Sequence, residues 1–321
     1  MSPLGSRLLA GVAGLAIGGL FLWLAFRGTP LAEVERLLAG ARWAGPAAEI
    51  LAATTLFALA KTIRWRVLLG APPGIGFGAL LRAVLAGLAL NALVPHSGEF
   101  LRAFGLKRQA GAAPSTVLSS IVAERVFDLI AVLALGGYAL AAVPVGAGVA
   151  AALRLLAAFA AAGVVAISLA LRFPRALPGV VAACARPLPP RARSWLAAEL
   201  GKALAGLEPV RSPRAAFTVL AWSVLQWLAV ALAVHGCGAT LGLALGAAAC
   251  GLVVVGIVVA FLLPNAPGYA GSVQVAFLVA LAPLGVPEAV ALAASVVYQL
   301  LMVLPLILAG VACLAPTLRR R

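Results

Sequence analysis

Apolar residues run almost unbroken for about twenty positions at a time along this chain, and polar residues collect at the ends of those runs. A bilayer core of roughly 30 Å takes about 20 helical residues to cross. Six stretches meet that length: 8–26, 47–68, 114–140, 149–171, 215–235 and 287–312. Two further apolar regions are interrupted near their middles. Residues 78–108 contain Arg82, Asn91, Pro95, Gly98, Glu99 and Arg102, and residues 242–284 contain Pro264, Asn265, Pro267, Gly268, Gly271 and Pro283. A broken helix survives at membrane depth only where protein or a wet cavity covers its backbone. The pattern therefore predicts six membrane helices and two re-entrant hairpins, with a complete span over 242–263 as the alternative for the second.

Charge placement selects between these. With the N-terminus and both hairpins arranged so that the basic loop 172–214 lies inside, Lys61, Arg64, Arg66, Lys107, Arg108 and Arg319 to Arg321 fall on the same side. The opposite connections, 142–148 and 236–241, carry no charge. This satisfies the excess of Lys and Arg on cytoplasmic loops; a full span at 242–263 would put the C-terminal arginines outside. The order span–hairpin–span then occurs twice, over about 47–140 and 215–312, within one transmembrane domain covering 1–321. Asn91-Ala-Leu-Val-Pro95 resembles Ala260-Phe-Leu-Leu-Pro264, and Gly111 precedes Glu124 by the same thirteen residues that separate Gly285 from Tyr298. Opposed repeats with broken helices are a transporter arrangement.

Composition agrees. Hydrophobic residues make up 64% of the 321, charged residues 10%, and mean hydropathy is +1.12; a soluble domain has about 25% charged residues. The net charge of +15 comes from basic residues at span ends rather than from a nucleic-acid-binding motif, so nucleic acid is not expected as a partner. Arg7 and the apolar run after it, too long for a signal peptide and lacking a cleavage pattern, read as the first span. Four separated cysteines without CxxC spacing suggest small apolar residues rather than a metal or redox centre. Leu31, Val34 and Leu38, and Leu196, Leu200, Ala203 and Leu207, each mark one face of a helix expected in the interface plane. Gly14/Gly18 and Gly242/Gly246 have a close-packing spacing.

The informative residues are charges where charge is costly. At 1.5 Å per residue from Pro114, Glu124 lies roughly 15 Å deep, beside Arg125 and Asp128. An ionised group there costs about 2.5–3.5 kcal/mol or more unless partnered. Arg82, Glu99 and Arg102 from the first hairpin complete a set of three cations and three anions. Two readings stay open: a buried structural network, or a polar site that binds a lipid phosphate. Asn265, Tyr269, Ser272, Gln274, Tyr298 and Gln299 form a neutral counterpart in the second half. Glu288, after Pro287, suits a helix start; His96 and His235 read as tip and interface residues. With one Asp in the chain and no HExxH or GxSxG, no enzymatic machinery, cofactor or metal site is visible.

Three stretches carry a family resemblance: Lys61-Thr-Ile-Arg-Trp-Arg66, Asn91-Ala-Leu-Val-Pro-His-Ser-Gly-Glu-Phe-Leu-Arg102 and Ala123-Glu-Arg-Val-Phe-Asp128. They resemble the transmembrane domain of lysylphosphatidylglycerol synthases, a family with stand-alone flippase-like members. Leu263-Pro-Asn-Ala-Pro-Gly-Tyr-Ala-Gly271 and Ala293-Ala-Ser-Val-Val-Tyr-Gln299 are similar to its second signature. The resemblance implies lipid flipping, with Pro95, Gly98, Glu99, Arg102, Glu124, Arg125 and Asp128 in the first motifs. It departs at Tyr269, where Gly is common, and at Gln299, where Arg is common, which weakens the case for anion binding in the second half. The soluble aminoacyltransferase domain of the bifunctional synthases is not in this sequence.

The sequence thus predicts an all-α polytopic protein of a prokaryotic cytoplasmic membrane, with both termini inside, that translocates lipids. Expected lipid contacts are Arg82, Asn91, Pro95, Glu99, Arg102, Glu124, Arg125, Asp128, Pro264, Asn265, Pro267, Gly268, Tyr298 and Gln299. The alternative is a non-transporting scaffold partner of a lipid-processing glycosyltransferase.

Overall fold

The computed structural model describes residues 19–23, 25–70, 74–94, 97–143, 145–262 and 266–318. Most of the span expected at 8–26, along with Pro95, His96, Pro264, Asn265 and the Gly14/Gly18 pair, lies outside them. The described chain is all helix: an all-α polytopic membrane protein.

The helices are α1 (Leu31–Ala39), α2 (Ala44–Leu68), α3 (Phe77–Leu93), α4 (Ser97–Ala110), α5 (Pro114–Ala142), α6 (Ala147–Arg172), α7 (Ala176–Cys184), α8 (Pro190–Ala205), α9 (Pro213–Thr240), α10 (Ala247–Leu262), α11 (Ser272–Leu281), α12 (Glu288–Tyr298) and α13 (Leu304–Leu318). Prolines start several of them, where the missing N–H costs nothing: Pro114, Pro190 and Pro213 sit at first helical positions. Gly111, at φ 67°, ends α4, and Gly285, at φ 71°, ends the short 3-10 turn before α12. The two glycines that share a spacing in sequence therefore share a left-handed backbone.

Five segments are long and apolar enough to cross a membrane: Ala44–Leu68, Ala147–Arg172, Pro213–Thr240, Pro267–Leu284 and Glu288–Leu314. The fourth is not one rod, because Gly268 and Gly271 have positive φ and Tyr269 joins them at φ 59°. α5, with 29 residues, is longer than any of these but carries Glu124, Arg125 and Asp128. α12 and α13 are joined by a π turn over Gln299–Val303. Pro305 accounts for it: its ring displaces the carbonyl of Leu301 and supplies no N–H. The hydroxyl of Thr54, from α2, donates to that Leu301 carbonyl at 3.3 Å.

α3 and α4 pack side by side as a hairpin, as do α10 and α11. With 17 and 16 residues, α3 and α10 reach about 26 Å and 24 Å, short of a full span. Glycine sets the closeness of both turnbacks. A Cβ on Gly98 would lie 2.0 Å from the Gly87 carbonyl oxygen, and one on Gly256 would lie 3.0 Å from that of Ala276.

Packing between the halves is reciprocal. α2 lies along α9, α3 packs on α13, and α10 packs on α5. The first hairpin arm of each half thus seats on the last helix of the other. Glycines permit both seats: a Cβ on Gly310 would meet Leu85 O at 2.2 Å, and one on Gly251 would meet Leu135 O at 3.1 Å. Gly242 and Gly246 play no such part; they lie in the turn before α10, Gly242 at φ 74°. The amphipathic α1 and α8 also dock on the bundle. Val34 is buried with Leu292 and Ala293 of α12, and Thr116 at the start of α5 donates to Lys202 O at 2.9 Å.

Candidate functional site

α5 crosses the middle of the bundle between α2, the first hairpin and α9. Glu124 and Asp128, one helical turn apart, point to one side. There they meet Lys61 and Arg64 of α2, themselves one turn apart. Glu124 takes Lys61 and Arg64 on Oε1, the latter at 2.9 Å, and Arg102 of α4 on Oε2 at 2.8 Å. Arg64 also grips Asp128 with both terminal nitrogens, at 2.5 and 3.2 Å, and donates to Ser223 of α9 at 2.8 Å. Asp128 accepts from the Trp227 indole at 2.8 Å and the Gln226 amide at 3.4 Å. The Arg102 guanidinium lies 4.0 Å over the ring of Trp65, whose indole N–H reaches Ser120 at 3.3 Å. Glu124 and Arg64 are fully buried. Each carboxylate here has two or more donors, the condition under which buried charge is tolerated.

Arg125 pairs with Glu99 of α4, and half of its side chain remains accessible. Asn91 braces the same hairpin by accepting from the Gly98 N–H at 2.6 Å.

Between these two groups opens a cavity of about 540 Å³. Lys61, Asn91, Glu99, Arg102, Arg125, Asp128 and Gln226 supply its polar wall, and aliphatic and aromatic side chains from both halves supply the remainder, Phe261 and Met302 among them. Val122, Arg125 and Leu262 line it and are exposed, which marks a mouth on the outer surface of the bundle. The size is that of a small-molecule site, and the division into charged and apolar walls suits an amphiphile.

The sequence-predicted residues are only partly reunited here. Asn91, Glu99, Arg102, Arg125, Asp128 and Tyr298 line the cavity, and Glu124 stands directly behind it. Arg82 does not belong: it is exposed on α3, away from the network, and Lys61 and Arg64 fill the role expected of it. Arg125 shares the cavity wall with Asp128 and pairs with Glu99 of α4. Gln299 bonds Gln274 at 2.6 Å and the Gly268 carbonyl at 3.1 Å, while Gln274 accepts from the Gly271 N–H at 2.8 Å. These neutral groups tie down the turn at Pro267–Tyr269, whose Tyr269 stacks on Phe261 at 4.1 Å and faces the cavity. Pro95, Pro264 and Asn265 are outside the described residues. His235 pairs with Glu49 at 2.8 Å, remote from the site.

Sequence reasoning missed Lys61, Arg64, Trp65, Ser223, Gln226 and Trp227 as site residues. Lys61 and Arg64 lie near the end of their span and read as ordinary interface charges; their spacing of one helical turn, matched to Glu124 and Asp128, was the available signal. Nothing in an apolar helix marks Ser223, Gln226 or Trp227.

An all-helical bundle with membrane-spanning segments, a buried charge cluster and a cavity with charged and apolar walls defines a polytopic membrane protein. The chain belongs to the family of the lysylphosphatidylglycerol synthase TM region, whose model matches residues 11–310. No curated protein and no solved structure matches the chain.

Proposed function

We propose that this protein is a non-enzymatic translocator that carries phosphate-bearing lipid head groups between the leaflets of a prokaryotic cytoplasmic membrane. One observation carries the reading: the 540 Å³ cavity has a charged wall, an apolar wall and a half-exposed arginine, Arg125, at its mouth. A head group would engage Arg125, with Lys61 and Arg102 behind it, while acyl chains follow the apolar wall toward lipid. Guanidinium is well matched to phosphate oxygens. The reciprocal packing of α3 on α13 and α10 on α5 supports reading 47–140 and 215–312 as inverted repeats with re-entrant hairpins, meeting at this cavity. In this reading both termini and the loop 172–214 face the cytoplasm.

The scaffold alternative draws on the dense pairing around Glu124 and Asp128, which alone could be structural. A scaffold has no use for the cavity beside it. Purified protein in vesicles with a fluorescent phosphatidylglycerol in both leaflets separates the two: a translocator exposes inner-leaflet probe to an external quencher, whereas a scaffold leaves it protected.

A further inference from the structure

The outer face of α6 carries a second recess, away from the cavity. The buried residues of α6 are Val149, Leu153, Leu156 and Ala160, and none of the residues after Ala160 in this helix is buried. Gly163 still approaches α5 closely: a Cβ there would lie 2.5 Å from Val126. Beside that contact a groove of about 250 Å³ runs past Phe127 of α5 and along Ile167, Ser168 and Leu171 of α6. Val210, of the 3-10 turn Glu208–Arg211, joins its lining. The lining is apolar apart from Ser168, which is exposed. α6 is long and apolar enough to cross a membrane, so the groove lies against the hydrocarbon of the bilayer.

One end of this groove is charged. Arg172 follows Leu171 at the close of α6, and Arg211 follows Val210 in the turn. Arg175 and Arg214 come three residues later on either side, and all four arginines are exposed. Glu208 matches one of these charges, pairing with Arg211 at 3.1 Å. An excess of arginine at the interface end of an apolar groove between spans fits a lipid phosphate whose chain occupies the groove. A soluble anion has no use for the apolar length. A zwitterionic lipid brings a cation of its own into the cluster, and a second copy of this chain would bring its own arginines.

We propose that the α5–α6 groove holds one anionic phospholipid from the leaflet that the basic segment 172–214 faces. Its acyl chain lies along Ile167 and Ser168, and its phosphate sits between Arg172 and Arg211. This site and the cavity of about 540 Å³ share no lining residue. The lipid held here is a fixed companion of the bundle and not transported cargo, so the proposal does not depend on the translocator reading.

The test is the rise in melting temperature of the full chain in detergent when phosphatidylglycerol is added, against the same amount of phosphatidylcholine. Native mass spectrometry counts the lipids and chains in each complex. All measurements are repeated in an Arg125→Gln background, where the cavity's own hold on phosphate is weakened. The proposal expects a larger rise with phosphatidylglycerol in both backgrounds. Arg172→Gln with Arg211→Gln should increase the phosphatidylglycerol concentration needed for half of that rise by about tenfold or more, the scale of a hydrogen bond to a charged group. Ser168→Phe should do the same by filling the groove with every charge intact. Arg186→Gln with Arg191→Gln removes as much charge from the basic segment outside the groove and should leave the wild-type value. Should Ser168→Phe fail to fold, the exposed arginine pair still decides. Equal rises with the two lipids, or equal effects of the two arginine pairs, overturn the proposal. A rise that vanishes in the Arg125→Gln background assigns the lipid to the cavity and overturns it as well. A dimer that Ser168→Phe separates gives the groove to a second copy of the chain.

Discussion

Arg64 holds Asp128 through both of its terminal nitrogens, at 2.5 and 3.2 Å, across the interface between α2 and α5. The same guanidinium lies 2.9 Å from Glu124, so one buried cation joins two carboxylates a helical turn apart.

Removing that cation should be among the most damaging single changes available. Arg64→Met leaves Asp128 with neutral donors alone and Glu124 short of one partner, a loss that costs about 3–5 kcal/mol for a buried pair. Arg82→Ala, at an exposed position, should stay within about 0.5 kcal/mol. Thermal unfolding of the two variants in detergent gives the comparison, and similar midpoints would contradict a network centred on Arg64.

The hairpin α3–α4 should be just as sensitive at one glycine and indifferent at another. A Cβ at Gly98 falls 2.0 Å from backbone oxygen and 2.8 Å from Asn91, so Gly98→Ala must pry the arms apart. Gly105, in the same helix, has open space, and Gly105→Ala should be neutral or stabilising by up to about 1 kcal/mol through helix propensity. Expression and melting temperature report both, with opposite signs expected.

Topology can be read with a native probe. Cys184 is exposed and lies in the basic segment 172–214, whereas Cys237 and Cys250 are buried. In intact cells a membrane-impermeant maleimide should leave Cys184 unmodified and should label it once the membrane is opened. Labelling of Cys184 in intact cells would place this segment outside.

Much of the fold was legible because membrane spans are written in run length: the stretches read as 47–68, 149–171 and 215–235 recur as Ala44–Leu68, Ala147–Arg172 and Pro213–Thr240. The breaks were legible because Pro, Gly and polar residues together interrupt apolar sequence at 91–102 and 264–271. Side-chain direction was not. Run length cannot say that Arg82 faces outward while Arg102 faces in, nor that Arg125 and Asp128, three residues apart, serve different partners. The charges of α2 were misjudged for a related reason: Lys61 lies seven residues before the end of α2 at Leu68, within reach of the interface by length alone, and only the packing of α5 shows that it points inward. The π turn at Gln299–Val303 had a visible cause in Pro305, but its partner Thr54 comes from the other half of the chain.

The central claim, that the cavity behind Arg125 is where a lipid head group crosses, is tested most directly by translocation in vesicles. Arg125→Gln keeps a hydrogen-bonding side chain beside Glu99 and removes the charge; Arg154→Gln changes an exposed arginine of α6. With both variants confirmed folded by their melting temperatures, the rate of fluorescent phosphatidylglycerol transfer is measured against the wild type. The account predicts about a tenfold or greater loss for Arg125→Gln, the scale of one charge-assisted phosphate contact, and a wild-type rate for Arg154→Gln. Equal rates for the two variants would contradict it.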